Sequence, residues 1–171
     1  LENLIAYFDR SHWRSAKFED GREGFEYERP PHLEEKAERI GISDRLVFTG
    51  YLPFNEAMSV VKSSDVCLMP HVKSFRIDRT LPHKISQYLF LGRPVISSPA
   101  APIVRMFSDY VIMWEPMTPQ RLADLILAIY KDPDLAQSIS QRSETISTRY
   151  DWSVEKRKLI KIYRGLEKLS G

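Results

Sequence analysis

A single cysteine, Cys67, stands among 171 residues, which excludes an internal disulfide and any cysteine-rich metal site. The four histidines, His12, His32, His71 and His83, never fall in an HxH or HxxxH spacing, so no zinc or other metal site is expected. No apolar run approaches the ~20 residues that span a bilayer. Residues 1–10 have no basic segment leading into an apolar core, so no signal peptide is expected either. Neither sign of charge dominates: 25 Lys and Arg against 23 Asp and Glu leave +2, too balanced to point to nucleic acid. With 43% apolar and 28% charged residues, disorder, collagen and low complexity are excluded, and the length suits one domain of ordinary size. A cytoplasmic chain is expected. The opening Leu1, with no initiator methionine, suggests a piece of something longer.

Residues 1–32 read as an irregular segment. Residues 4–8 (LIAYF) resemble the remnant of a first strand, and residues 17–31 (KFEDGREGFEYERPP) mix charge, glycine and proline with no period, which reads as a long loop or a poorly ordered stretch. Residues 33–171 form the regular part. Leu33, Ala37 and Ile40 recur at helical spacing before Gly41, a left-handed C-cap. Strands are expected at 46–49 (LVFT), 66–69 (VCLM), 95–97 (VIS) and 111–114 (VIMW). Helices are expected from Pro53, from Pro82 to Leu91 ahead of Gly92 and Pro94, and after the Thr118-Pro119 and Asp132-Pro133 pairs. A last helix, capped by Ser153, places Leu159, Ile162, Tyr163, Leu166 and Leu169 inward. Both faces of an all-apolar strand such as VCLM must be buried. Short strands alternating with amphipathic helices therefore predict an α/β fold, a parallel sheet with helices on both faces and closing C-terminal helices.

In such a sheet, ligands bind beyond the carboxyl ends of the strands. Three loops lie there, after Thr49, Met69 and Ser97. The second carries His71, Lys73, Arg76, Arg79, His83 and Lys84 against a single acid, Asp78. It runs into a helix whose first backbone N–H groups favour an anion. Thr80 is the expected N-cap, with Pro82 and Lys84 in the first turn and Gln87 one turn on, on the same face. An ammonium with helix-end amides suits a diphosphate, and the Gln87 amide suits a sugar hydroxyl. On charge alone, a solvated loop ahead of an ordinary helix is the simpler reading.

Three longer segments add to that. TLPHKISQYLFLGRPVIS (80–97), RLVFTGYLPFNEAMSVVKSSDVCLMP (45–70) and the tail RYDWSVEKRKLIKIYRGL (149–166) resemble, in order, segments of glycosyltransferase family 4 (group 1) and related GT-B enzymes. The resemblance covers residues 33–169. It implies a Rossmann-like domain, the C-terminal half of a GT-B fold, which holds a nucleoside-diphosphate sugar for transfer to an acceptor hydroxyl in polysaccharide biosynthesis. A retaining hexosyltransferase that needs no metal and no cofactor is implied. In this chain Lys84 would neutralise the diphosphate, with Thr80, Leu81, Pro82 and His83 lining that site. Gly50, Tyr51 and Leu52 would approach the base. The family's two glutamates, eight positions apart, fall at Arg79 and Gln87, and neither is acidic here. The N-terminal acceptor domain is absent, so the chain is expected to be inactive unless that domain joins it in cis or in trans. The rival reading is a GT-B module that has lost its chemistry and serves as a binding or scaffold subunit. A GT-B epimerase fits the tail less well.

Other residues have plainer readings. Trp13, Trp114 and Trp152 are expected in packing rather than on sugars. Cys67 reads as a buried inert thiol. His71 suits either a phosphate contact or a loop cap. Residues 152–171 carry six Lys and Arg against two Glu beside an apolar stripe; a packed helix with a solvated outer face is expected over a membrane-surface helix.

Overall fold

The computed structural model describes residues 13–17, 23–27, 31–49 and 52–167. The chain divides into two compact units, Leu1–Ser64 and Asp65–Gly171. Residues 4–8, Gly50, Tyr51, Leu169 and the side chain of Trp13 lie outside this description.

In the first unit, β1 (Trp13–Lys17) and β2 (Glu23–Tyr27) pair antiparallel, Trp13 opposite Tyr27 and Lys17 opposite Glu23. This corrects the irregular reading of residues 1–32, since β2 lies within the stretch read as a loop. The backbone ladder forms there without an apolar alternation to announce it. Helix α1 (Pro31–Ile40) ends as expected. Gly41 takes φ +72° and donates to the Glu38 carbonyl at 3.0 Å, while Ile42 N–H reaches the Ala37 carbonyl at 3.0 Å. That is the Schellman arrangement. The strand expected at 46–49 does not form: a 3₁₀ turn at Ser43–Arg45 leads into backbone that joins no ladder among the described residues. Helix α2 (Phe54–Ser63) follows, with Pro53 as its N-cap.

In the second unit, β3 (Cys67–Met69), β4 (Val95–Ser97) and β5 (Ile112–Met113) form a parallel sheet in the order β3-β4-β5. Met69 lies opposite Ser97 and Ser97 opposite Met113, so the three carboxyl ends are level. β4 is central and wholly buried. Successive side chains of a strand point to opposite faces. Ile96 packs with Val66 and with Leu125 and Ile129 of α5 (Pro119–Lys131) and Ile139 of α6 (Pro133–Tyr150). Val95 and Ser97 point the other way and are equally buried, so helical cover on both faces, the expected fold class, holds. Trp114 packs against this core, as expected, and donates Nε1–H to the Thr118 carbonyl at 2.8 Å.

The caps largely follow sequence. Thr118 Oγ1 accepts from Arg121 N–H at 3.2 Å, and Asp132 Oδ1 from Leu135 N–H at 2.9 Å, each ahead of a proline. At α7 (Trp152–Glu167) the cap is Asp151, not Ser153: Asp151 Oδ1 accepts the Ser153 N–H at 2.7 Å. The Ser153 hydroxyl, and after it this N–H, hold the Asp151 carboxyl below the ordinary range by hydrogen bonding. Helix α3 (His83–Phe90) ends on Gly92 at φ +66°, with Gly92 N–H on the Leu89 carbonyl and Arg93 N–H on that of Tyr88. A Cβ in that conformation is disfavoured by roughly 1–2 kcal/mol, so Gly92→Ala is expected to lower stability by about that much, read as a shift in urea midpoint.

Two elements depart from expectation. Helix α4 (Ala101–Phe107) was not anticipated, because its Pro102 and brevity hide a helical period, yet it buries Ile103 and Phe107. The stripe of α7 expected to face inward is exposed: Leu159 44%, Ile162 60%, Tyr163 61% and Leu166 55%, with Trp152 67% exposed as well. Among the elements of its unit, α7 packs on α6, and one helix gives an apolar stripe no second surface to close over it. Among the described residues, no helix is long and apolar enough to cross a membrane.

Cys67 is buried in β3, and burial pushes its thiol up to about 12, with the Arg93 guanidinium opposing weakly. Because the folded state favours the neutral thiol, any stability linked to this group is present below the ordinary thiol pKa and lost as pH rises toward 12. Only the thiolate reacts, so iodoacetamide at pH 8 should modify the native chain at least ~100-fold more slowly than the urea-unfolded chain. Equal rates would place Cys67 at the surface.

Candidate diphosphate site at the carboxyl edge of the sheet

The backbone leaving β3 and β4 knits the edge together. The Met69 carbonyl accepts from His71 N–H at 3.0 Å, Ser98 N–H at 3.1 Å and Ser98 Oγ at 3.2 Å. A small pocket of about 10 Å³ lies beside this knot, lined by His71, Lys73, Ile77, Asp78, Ser98 and Ala100 among others. Its position matches the place where parallel sheets receive ligands. His71 is half buried here, with its Nε2 withdrawn from solvent.

The β3–α3 connection is ordered by its own bonds. Ser74 accepts Ile77 N–H on its hydroxyl at 3.3 Å and Asp78 N–H on its carbonyl at 3.0 Å, which sets the 3₁₀ turn Ile77–Arg79. Asp78 Oδ1 accepts the Ala101 N–H at 3.5 Å, so the loop's single carboxylate is directed at the start of α4. Arg79 folds back with its guanidinium carbon 3.4 Å from the centre of the Phe75 ring, a cation–π contact.

Thr80 does not cap α3. It closes the 3₁₀ turn, donating its N–H to the Ile77 carbonyl at 3.3 Å, and Pro82 takes the N-cap position instead. Among the described residues no side chain caps α3, and no acidic residue stands in its first turn. Lys84 lies at the second position of α3, half buried, and Gln87 is half buried three positions on, which places both on one face. Leu81 and Pro82 are half buried; Arg79, Thr80 and His83 are exposed. These residues are continuous in sequence and belong to one unit. Leu52, half buried ahead of α2, belongs to the other, and its expected neighbours Gly50 and Tyr51 lie outside the described residues.

Two contributors escape a reading of sequence. The stacking of Phe75 under Arg79 could have been found from their i, i+4 spacing, which matters only once the segment is known to turn. Asp78 lies 23 residues from its partner Ala101, and no local pattern signals that contact. Among the described residues, no group of three or more His, Cys, Asp and Glu side chains comes together as metal ligands would.

Comparison with known proteins identifies the family. The family described as "Glycosyl transferases group 1" matches residues 22–132. A D-inositol 3-phosphate glycosyltransferase of Corynebacterium urealyticum is 26% identical over 149 residues, which are 85% of this chain and 34% of that protein. The chain thus spans about a third of the length of its curated relative. Among solved structures, sucrose-phosphate synthase from Thermosynechococcus elongatus superposes with TM-score 0.66 at 20% identity, over 81% of this chain and 34% of that one. Anabaena HepE in complex with UDP gives 0.65 at 17%, over 79% and 36%. The C-terminal domain of a group 1 glycosyl transferase from Francisella tularensis gives 0.59 at 20%, over 70% and 60%. The fold is that of GT-B glycosyltransferases, and the chain belongs to the group 1 glycosyl transferase family.

Proposed function

We propose that this chain is the donor-binding part of a glycosyltransferase, holding a nucleoside-diphosphate sugar with its diphosphate on the first turn of α3. One observation carries the reading: the cationic β3–α3 loop delivers Lys84 into an uncapped, acid-free helix start at the carboxyl edge of a parallel sheet. The backbone N–H groups of a first helical turn and the positive helix end favour an anion there. The matched family and a structural neighbour carrying UDP support the choice of anion.

In the reaction, the bond from the sugar's anomeric carbon to the diphosphate oxygen breaks. The acceptor oxygen bonds to that carbon and passes its proton to the departing diphosphate oxygen. Negative charge grows on the departing diphosphate, where Lys84 and the α3 amides stabilise it. These groups supply countercharge of the kind a metal ion would bring, so the reading needs no metal. Gln87 grips the ribose hydroxyls with neutral hydrogen bonds, weaker than those of a carboxylate. Leu81 and Pro82 line the diphosphate at the start of α3. The reading extends to a retaining hexosyltransferase of polysaccharide synthesis in the cytoplasm. Its acceptor site is supplied by a second domain in cis or in trans, so the isolated chain binds donor without transferring sugar.

Ligand-observed NMR with UDP, GDP and ADP tests the proposal. One of the three is expected to bind the wild-type chain. If none binds a demonstrably folded chain at millimolar concentration, the rival reading, a scaffold module to which Arg79 and Gln87 point, takes its place.

A further inference from the structure

We infer that the β3–α3 loop recognises a second anionic group, a carboxylate or phosphate on the sugar or the acceptor, through Arg79 held on Phe75. The inference rests on the donor site proposed above and names the substrate chemistry beside it.

The charge balance of the loop asks for such a group. Between Pro70 and Lys84 stand Lys73, Arg76, Arg79 and Lys84, with one carboxylate, Asp78. These cations outnumber the two formal charges of a bound diphosphate. Asp78, whose Oδ1 accepts the Ala101 N–H at 3.5 Å, offsets only one of the four. Like charges gathered in one loop repel, and an anionic ligand relieves that repulsion.

The geometry favours Arg79 as the recognising group. Its guanidinium carbon lies over the Phe75 ring, 3.4 Å from the centroid, with Nη1 donating to the Phe75 carbonyl at 3.4 Å. Stacking leaves the in-plane N–H edges of a guanidinium available and reduces the rotamer entropy lost on binding. That fork matches the two oxygens of a carboxylate or phosphate. Phe75 and Arg79 are both exposed, so nothing in the described fold explains why an aromatic ring is kept in solvent under an arginine. Arg79 also lies within reach of the diphosphate site. Four residue steps separate it from His83, at most about 13 Å of backbone.

Isothermal titration tests this with neutral and anionic probes of the same shape. The glucose ester against the glucuronate ester of whichever diphosphate binds, UDP, GDP or ADP, reads a charge carried by the donor sugar. Glucose against glucose 6-phosphate, with that diphosphate present, reads a charge carried by the acceptor. At least one anionic probe is expected to bind roughly tenfold tighter than its neutral partner. That advantage should vanish in Arg79→Ala, shrink in Phe75→Leu and partly return in Arg79→Lys. Both positions are exposed, and matching far-ultraviolet circular dichroism verifies that the variants fold. If neither anionic probe outbinds its neutral partner, or if the advantage survives Arg79→Ala, the inference is overturned. Failure of the donor reading looks different: UDP, GDP and ADP would all fail to bind, whatever the sugar probes do.

Discussion

Replacing Ile96 by alanine is expected to lower the free energy of unfolding by about 2–5 kcal/mol, the largest stability effect of any single truncation considered. Ile96 is 1% exposed at the middle of the central strand. It is the one strand residue in the cluster that Val66, Leu125, Ile129 and Ile139 complete. Truncation removes apolar transfer energy and leaves a cavity between sheet and helices that strands fixed by parallel ladders cannot collapse to fill. Ile96→Val, which removes one methylene, should cost only about 0.5–1.5 kcal/mol. Urea denaturation followed by circular dichroism reads both values. A shift for Ile96→Ala no larger than that for Ile96→Val would contradict the placement of this side chain in the core. Because β4 also ends in the knot of bonds on the Met69 carbonyl, the same cavity should loosen the pocket beside it.

The second large effect concerns binding. Lys84→Ala is expected to weaken the preferred nucleoside diphosphate by roughly 10- to 100-fold, the range of a lost charge-assisted bond of about 1.5–3 kcal/mol. Lys84→Arg keeps the charge and should recover most of the affinity. Lys84→Glu should abolish binding, since a carboxylate in the first turn of α3 would itself occupy the anion-favouring helix end. Raising the salt concentration should narrow the gap between wild type and Lys84→Ala without closing it, because a half-buried charge is screened only in part. Equal affinities for wild type and Lys84→Ala would remove Lys84 from the site while leaving the helix amides as candidates.

Where the sequence pattern and the structure agree, the physics is local. Strands β3 and β4 were legible because all-apolar runs bounded by Asp65, Pro70 and Pro94 have few other uses. The caps at Thr118, Asp132, Gly41 and Gly92 were legible because the required side chain or backbone freedom sits within three residues of the bond it makes. Disagreement begins where the outcome depends on distant partners. LVFT has strand composition but finds no ladder. Thr80 has capping chemistry, yet the 3₁₀ turn at Ile77–Arg79 claims it first. The α7 stripe has the period of a buried helix, but period specifies only which residues share a face, not whether anything covers that face. The hairpin β1–β2 fails in the opposite sense, since backbone pairing forms where composition reads as a loop.

The candidate site follows the same division. The cationic loop and the following helix could be read directly from residues 70–90. The weight placed on Lys84 came from the family likeness, and the likeness gave no hint of Phe75. That ring matters only once the loop turns and brings it under Arg79. Arg79, a cation where the resemblance implies an acid, is therefore the position at which the proposed donor site departs from the expected pattern.

The most direct test is an amide chemical-shift map of the folded chain titrated with UDP, GDP and ADP. The account predicts that the nucleotide that binds moves the amides of Leu81, His83, Lys84 and Ile85 most, with smaller shifts at His71 and Ser98, and that Lys84→Ala suppresses the set. Largest shifts on α7 or in the first unit, with the α3 start unmoved, would contradict it.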